Sequence, residues 1–160
     1  MNIEIERKFL LKSMPDVKPT EVIKIEQWYF KNQEGIWERA RYCNSNIKGK
    51  YYIHTIKTTI SKGVNMEDEH PLTKEEFNLF VENCKKEGVE SRSISKKRCI
   101  YPQGKLKWEV DKFDGHLIIA EIEIPEQDYE VVIPDYIKKR VIIEVTGIKQ
   151  FSNKNLSNKI

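Results

Sequence analysis

Charged residues recur at every second position along this chain, and that spacing most constrains its fold. The first group is Glu4, Glu6 and Lys8. Because successive side chains of a β-strand point to opposite faces, a strand would carry these three on one face. Five like-signed pairs repeat the spacing: Arg39 and Arg41, Glu67 and Glu69, Lys96 and Arg98, Glu109 and Asp111, and Glu121 and Glu123. The pattern predicts strands that each present charge on one face.

The residues between these charges are mostly apolar or aromatic, among them Ala40, Trp108, Val110 and Ile122. For one pair alone, the pattern is typical of an antiparallel sheet whose charged face meets water. A solvated strand normally mixes the two signs, since like charges side by side repel each other. Nearly every predicted strand here is instead purely acidic or purely basic. This segregation by strand favours an enclosed charged site.

Short turn signals separate the predicted strands and make their neighbours antiparallel. The strands are predicted at about 3–11, 23–31, 36–43, 50–59, 64–70, 92–101, 105–112, 117–124 and 141–146. One helix begins after Thr73, which forms a capping box with Glu76, and we expect this helix to end at Gly88. A shorter helix is expected from Pro134.

Antiparallel strands with one charged face favour closure into a barrel, since closure removes the unpaired sheet edges. The predicted fold class is α+β, mainly β: an eight-stranded antiparallel closed barrel with a charged lumen and a few helices outside. With 160 residues, the chain is expected to form one domain over residues 1–160. The residues expected to point outward are Ile3, Ile5, Phe9, Ala40, Tyr42, Trp108, Val110, Ile122 and Ile124.

Hairpin register decides which charges share the lumen, because a slip of one residue reverses the face of every side chain. A turn centred on residues 103–104 would place Arg98 opposite Glu109 and Lys96 opposite Asp111. These opposite-charge pairs stabilise an antiparallel hairpin. We therefore expect that register between the sixth and seventh predicted strands.

The next hairpin requires an odd loop if its carboxylates are to share the lumen. A two-residue turn at residues 114–115 would leave Glu109 on the face opposite to Glu121. A loop of residues 113–115, with Gly115 in the left-handed conformation, would instead place Glu109 opposite Ile119. We expect this odd loop, with Glu109 and Glu121 on one face.

Composition excludes several classes of function. The net charge is only +3 although 33% of residues are charged, so a nucleic-acid partner is not implied. The sequence contains neither G-x-x-x-x-G-K-[ST] nor G-x-G-x-x-G, so side chains must bind any phosphate. It also shows no signal peptide and no apolar run of about 18 residues, which favours a cytoplasmic protein without a membrane partner.

The motifs resemble, in order, those of the CYTH or triphosphate tunnel metalloenzyme superfamily. Residues 4–8 resemble its opening E-x-E-x-K signature. The resemblance continues through Arg39-Ala40-Arg41, Ile56-Lys57, Glu67-Asp68-Glu69, Lys96-Lys97-Arg98, Trp108-Glu109-Val110-Asp111 and Ala120-Glu121-Ile122-Glu123. It ends with Glu144-Val145-Thr146-Gly147 followed by Lys149, Phe151, Ser152, Asn153 and Leu156. The similarity therefore covers nearly the whole chain.

The resemblance implies a tunnel that binds a linear triphosphate and requires Mg²⁺ or Mn²⁺, which prefer oxygen ligands. Glu4, Glu6 and Glu123 would hold the metal. Glu121 would position the attacking water, and the expected catalytic set is Glu121, Lys8 and Lys57. The expected phosphate ligands are Lys8, Arg39, Arg41, Lys57, Lys96, Arg98 and Lys149. The other tunnel carboxylates would be Glu67, Glu69, Glu109 and Asp111.

Two regions depart from the family pattern. Asn65 and Met66 stand where an Arg is frequent, and Ile148 and Gln150 flank the C-terminal Lys149 where Asp and Arg are frequent. Loss of cationic groups should weaken phosphate binding or shift specificity.

The expected function is metal-dependent hydrolysis of inorganic tripolyphosphate, a nucleoside triphosphate or thiamine triphosphate. The alternatives are a class IV-type adenylate cyclase and a non-catalytic polyphosphate- or nucleotide-binding module. Phosphate ligands do not separate these alternatives, since each binds a polyphosphate. The sequence leaves the physiological substrate, the preferred metal and the oligomeric state open.

Overall fold

The computed structural model describes residues 2–159, which form ten β-strands, three α-helices and one 3₁₀ helix. In chain order these are β1 (Asn2–Leu11), β2 (Glu21–Lys31), β3 (Trp37–Ser45), β4 (Gly49–Ser61), β5 (Val64–Leu72), α1 (Lys74–Cys84), β6 (Ser91–Gln103), β7 (Leu106–Phe113), β8 (Ile118–Glu123), α2 (Asp135–Lys138), β9 (Val141–Glu144), the 3₁₀ helix (Lys149–Phe151), α3 (Asn153–Leu156) and β10 (Asn158–Lys159). All nine predicted strands are present. The short strand β10 was not predicted.

Eight of the strands close into an antiparallel barrel. Their order is β6-β2-β3-β4-β5-β1-β8-β7, and β7 pairs back onto β6. Strand β9 extends the sheet by pairing with β1, and β10 pairs with β6. The closed, mainly β architecture with helices outside confirms the predicted fold class.

Two apolar core clusters lie outside the barrel, between the strands and the helices. On one side Trp108, Val110 and Ile122 pack with Ile137 of α2. On another side Ala40 packs with a group from α1 that comprises Phe77, Phe80 and Cys84. Most of the residues predicted to point outward belong to or contact these two clusters, whereas Ile3 is 61% exposed.

Helix α1 has the predicted N-terminal cap but a shorter C-terminal end. The Thr73 hydroxyl accepts from the backbone N–H of Glu76, whose carboxylate accepts from the N–H of Thr73. The helix ends at Cys84 rather than at Gly88. Its last turn bears no basic residue to stabilise the carbonyl end. The capping box is therefore confirmed, and the predicted end is wrong.

The predicted β6–β7 register is wrong by two residues. Arg98 lies opposite Asp111, and Gln103 lies opposite Leu106, so the turn consists of residues 104–105. Gly104 adopts a φ of 60°, which the first turn position of such hairpins requires. Because a two-residue shift preserves the face, the lumen still receives the same charges.

The β7–β8 loop is odd, as predicted, but begins one residue later. The N–H of Phe113 donates to the carbonyl of Leu117 at 2.9 Å, which leaves a loop of residues 114–116. Gly115 and His116 both adopt a positive φ, 80° and 72°. Glu109 therefore lies opposite Glu121, not opposite Ile119. The predicted common face of Glu109 and Glu121 is confirmed, and the predicted partner is wrong.

None of the helices between residues 2 and 159 is long and apolar enough to cross a membrane.

Gly63 fixes the β4–β5 turn against the middle of β1. It has a φ of +72°, and a Cβ placed there would lie 2.8 Å from the Glu6 carbonyl oxygen. Gly49 has a similar φ of +77° with no atom within 4 Å of the same position. Gly63 therefore needs both its conformation and its lack of a side chain.

We expect Gly63→Ala to destabilise the fold more than Gly49→Ala. The left-handed conformation costs an alanine roughly 1–2 kcal/mol at either position. Only Gly63→Ala also pushes β1 away. In urea unfolding, its loss of unfolding free energy should therefore exceed that of Gly49→Ala by at least about 1 kcal/mol. Equal losses would show that the contact with β1 relaxes without cost.

Candidate active site

The barrel encloses a cavity of about 430 Å³, to which each of the eight strands contributes. That volume lies in the range of about 300–1,000 Å³ typical of small-molecule sites. The predicted site residues that line it are Glu4, Arg39, Arg41, Lys57, Glu67, Glu69, Arg98, Glu109, Glu121 and Glu123. The alternating charges of the sequence therefore meet in one enclosed space.

Four further predicted residues adjoin this cavity. Glu6 lies opposite Glu123 in the β1–β8 pair, and the amino group of Lys8 lies 3.4 Å from Glu121. Lys96 and Asp111 pair with each other beside Arg98. Lys149, in contrast, is exposed on the 3₁₀ helix and is not among the residues that line the cavity, so its assignment as a phosphate ligand stays a prediction.

One wall of the lumen, formed by β1, β7 and β8, is crowded with carboxylates. Glu6 lies directly opposite Glu123, and Glu109 lies directly opposite Glu121. Like charges at such positions repel each other. Burial, and then the charge of Glu121, raises the pKa of Glu6 to about 7. Burial also raises the pKa of Glu123. Within residues 2–159, neither Glu6 nor Glu123 has a cation within ion-pair distance.

Arg98, Lys96 and Asp111 form a buried ion triad between β6 and β7. Arg98 binds Asp111 through two nitrogens, at 2.8 and 2.9 Å, and donates to Glu109 at 3.0 Å. The Lys96 ammonium lies 2.7 Å from Asp111. Burial lowers the pKa of Lys96 to about 7. The charge of Asp111, which also pairs with Arg98, offsets this effect only in part. The two cations are therefore already occupied by carboxylates.

Lys57 and Lys8 also have carboxylate partners. The Lys57 ammonium lies 2.7 Å from Glu4. Burial alone would raise the pKa of Glu4, but the charge of Lys57 brings it below its usual value. Burial would also raise the pKa of Glu121, but Lys8 and other nearby cations lower it to about 2. Glu121 is therefore ionised at neutral pH.

Arg39 and Arg41 differ from the other lumen cations. Among residues 2–159, neither guanidinium has a carboxylate within the 4.0 Å that defines an ion pair. Arg39 donates to the Thr55 hydroxyl at 3.1 Å, and its buried Nε has no partner. Arg41 donates to the Gln27 amide oxygen at 2.6 Å. Burial and its neighbours Arg39 and Arg98 lower the pKa of Arg41 to about 10. Both guanidiniums therefore keep a positive charge that no carboxylate among the described residues offsets.

The C-terminal segment, residues 149–157, lies over one end of the lumen. The Lys8 ammonium donates to the Phe151 carbonyl at 3.3 Å, and the Lys96 ammonium donates to the Asn153 amide oxygen at 2.8 Å. Asn153 also lines the cavity. Sequence analysis placed Asn153 only within a family motif, since a local pattern cannot show which strand a terminal segment will meet.

Part of the lumen is apolar, which the sequence analysis did not predict. Ile23, Ile25, Cys43 and Ile100 form a buried cluster with Tyr51. Most of these side chains line the same cavity as the charged residues. The signal was present in β2, where Ile23, Ile25, Gln27 and Tyr29 alternate, but an apolar alternating face ordinarily indicates a core.

The carboxylates Glu4, Glu6 and Glu123 fit a hard divalent cation by their chemistry, because they offer only oxygen ligands. Among residues 2–159, no group of three or more His, Cys, Asp or Glu side chains is arranged to hold a metal ion. The Glu4 carboxylate instead binds Lys57. Burial and the charge of Glu121 raise the pKa of Glu6, and a cation bound beside it would lower that pKa again.

The positions that depart from the family pattern lie in two environments. The Asn65 amide donates to Glu4 at 3.4 Å, so a neutral group contacts that carboxylate. Ile148 and Gln150 are exposed beside Lys149. Of these three positions, only Asn65 places a neutral side chain beside a lumen carboxylate where the family pattern often has an arginine.

We expect Asp111→Asn to destabilise the protein by roughly 3–5 kcal/mol, because it leaves two buried cations without their shared anion. Urea unfolding at neutral pH measures the loss. Asp16→Asn is the control, since Asp16 pairs with Lys139 on the surface and its loss should change little. Equal effects of the two substitutions would contradict the role of the triad.

Acid titration provides a second readout of the same substitution. Burial would raise the pKa of Asp111, but Arg98 and Lys96 hold it well below its usual 3.8. The resulting stability is present above that usual value and is lost as the pH falls below it. The difference in unfolding free energy between wild type and Asp111→Asn should therefore narrow below about pH 4.

Comparison with known proteins agrees with this geometry. No protein-family model matches the chain. An inorganic triphosphatase of Acetivibrio thermocellus is 31% identical over 159 residues, which cover 98% of this chain and 94% of that protein. The solved structure of the inorganic triphosphatase NE1496 has a TM-score of 0.57 and 25% identity, and the match covers 98% of this chain and 95% of that one.

A more distant structure shows the same fold. It is a putative adenylate cyclase from Vibrio parahaemolyticus, with a TM-score of 0.51, 17% identity and coverage of 79% of this chain and 78% of that one. The near full-length relative, the closed tunnel and the ordered lumen charges lead to one assignment. The chain belongs to the CYTH, or triphosphate tunnel metalloenzyme, superfamily.

Proposed function

We propose that this protein hydrolyses linear triphosphates with the help of Mg²⁺ or Mn²⁺. The observation that carries the proposal is a pair of guanidiniums, the buried Arg39 and the partly buried Arg41, which have no carboxylate partner in the described chain. They line the same cavity as the crowded carboxylates. A ligand that brings phosphates to the arginines and cations to the carboxylates would balance both. The two relatives named inorganic triphosphatases support this substrate class.

The metal would be held by Glu4, Glu6 and Glu123. When bound, it would polarise the phosphate and offset the charge of the polyanion. The proposal requires Glu4 to exchange its contact with Lys57 for the cation. Lys57 would then be released towards the phosphates, so metal and substrate binding would support each other.

Glu121 is suited to orient water rather than to remove its proton. Its pKa of about 2 keeps it ionised, so it accepts hydrogen bonds at neutral pH but is a weak base. Hydrolysis forms a bond from the water oxygen to the terminal phosphorus, breaks the bond from that phosphorus to its bridging oxygen, and transfers a proton of the water to a phosphate oxygen. A water held by Glu121 could be aligned opposite the leaving oxygen.

The basic residues would stabilise the charge that grows on the leaving diphosphate. Arg39 and Arg41 would bind phosphate oxygens directly, since both lack an anionic partner in the described chain. Lys8 and Lys57 would contribute once their carboxylate contacts rearrange. Lys96 and Arg98 share Asp111 and would add positive potential with less freedom to move. Preorganised charges of this kind lower the barrier to phosphoryl transfer.

We expect phosphate release from the best triphosphate to require a divalent cation. Excess EDTA should abolish release, and Mg²⁺ or Mn²⁺ added beyond the chelator should restore it, because bare carboxylates would repel a polyanion. A screen of tripolyphosphate, ATP and thiamine triphosphate measures this as released phosphate. Full turnover in excess chelator would exclude the metal-dependent mechanism.

We expect Arg39→Gln and Arg41→Gln each to weaken substrate binding. Loss of a charge-assisted hydrogen bond of about 1.5–3 kcal/mol corresponds to a KM increase of roughly 10- to 100-fold. Arg140→Gln is the matched control, because Arg140 bonds Ser13 on the outer surface. An unchanged KM in both lumen variants would refute their assignment as phosphate ligands.

Product analysis separates hydrolysis from the alternative reactions. With ATP as substrate, mass spectrometry should show ADP and phosphate for a hydrolase, and cyclic AMP with diphosphate for a cyclase. Binding of tripolyphosphate without either product would indicate the non-catalytic module. We expect the hydrolysis products.

A further inference from the structure

Gln27 is fully buried, at 0% exposure, on the lumen face of β2 directly opposite Arg41. Both ends of its amide are used. The oxygen accepts from Arg41 Nε at 2.6 Å, and the nitrogen donates to the Tyr29 hydroxyl at 2.9 Å. Because Arg Nε can only donate, the amide oxygen must face Arg41 and the amide nitrogen must face Tyr29. The side chain is thus held in one orientation by partners at both ends.

The contrast with Arg98 shows what a neutral partner changes. Arg98 is bound by two carboxylates, Asp111 through two nitrogens and Glu109 through the third. Those contacts fix its guanidinium but also cancel its charge. Gln27 occupies only the Nε of Arg41 and adds no charge. No other hydrogen bond holds the Arg41 guanidinium within residues 2–159, so its two terminal nitrogens stay available to a ligand.

We propose that Gln27 is the positioning residue for Arg41 in substrate binding. It holds the guanidinium towards the cavity and leaves its full positive charge for the phosphates of the substrate. Tyr29 supports this role by fixing the amide orientation from the other side. The inference rests on the proposed function, because Arg41 must bind a phosphate for its orientation to matter.

Gln27→Glu tests the role of neutrality, since it keeps the shape and the acceptor but adds a negative charge. The new carboxylate would pair with Arg41 much as Asp111 pairs with Arg98. We expect the KM for tripolyphosphate to rise by at least about 10-fold with a smaller change in kcat, as for lost ground-state binding. Gln33→Glu is the control, because it makes the same change at an exposed site in the β2–β3 loop. An unchanged KM in Gln27→Glu would overturn the proposal.

A double-mutant cycle shows whether Gln27 acts through Arg41. If it does, adding the neutral Gln27→Met to Arg41→Gln should raise KM no further, because no guanidinium is left to orient. A purely structural Gln27 would instead give KM increases that multiply. Gln27→Met and Tyr29→Phe provide the same readout if Gln27→Glu does not fold. Both should raise KM, and melting curves verify that each variant is folded.

Calorimetric titration with tripolyphosphate, in EDTA and again with Mg²⁺ or Mn²⁺, separates failure of this inference from failure of the proposed function. If the wild type binds tripolyphosphate but releases no phosphate under any metal condition, the hydrolase proposal fails. Weaker binding by Gln27→Glu than by Gln33→Glu would then still support the positioning role. Equal affinities in those two variants, or no binding by the wild type, would overturn it.

Discussion

The buried ion triad of Arg98, Lys96 and Asp111 is the interaction on which the rest of the structure depends. It lies between β6 and β7, the pair that closes the barrel. A buried ion pair gains little over apolar packing, but leaving one partner unpaired costs much. A slip of one residue would move Asp111 to the outer face and leave two cations alone in the lumen. The triad therefore specifies the register at which the barrel closes, and with it the face of Glu109.

Closure inverts the usual distribution of polarity. Most strands point their apolar faces outward, where α1 and α2 cover them, and their charged faces inward, whereas β2 points Ile23 and Ile25 into the lumen. Charge inside a narrow barrel must be balanced locally, because little water is available to screen it. Three degrees of balance result. The triad is compensated. Among residues 2–159, Arg39 and Arg41 have no carboxylate within ion-pair distance, and Glu6 and Glu123 have no cation within that distance.

Compensated and uncompensated groups have different roles. The compensated triad maintains the barrel, whereas the uncompensated groups are those that the proposed function assigns to substrate and metal binding. In the proposed function, a polyphosphate with its divalent cations would bring both kinds of charge and would complement the lumen at both places. Gln27 fits this division of roles, since it holds an arginine in place without neutralising it. The C-terminal segment adds contacts to Lys8 and Lys96 at one end of the lumen.

The sequence by itself determined the strands, the charge on each lumen face and most of the candidate site, because side-chain alternation is a local property of a strand. Glu4 and Arg39 could thus be assigned to a lumen before any partner strand was known. Tertiary structure decided the rest. Turn position set Arg98 against Asp111 and Glu109 against Glu121, two pairings that the sequence analysis assigned wrongly. Long-range packing brought Asn153 to Lys96, and strand pairing placed Gln27 beside Arg41. A pattern of period two specifies the face of a residue, but only the closed barrel specifies what that residue meets there.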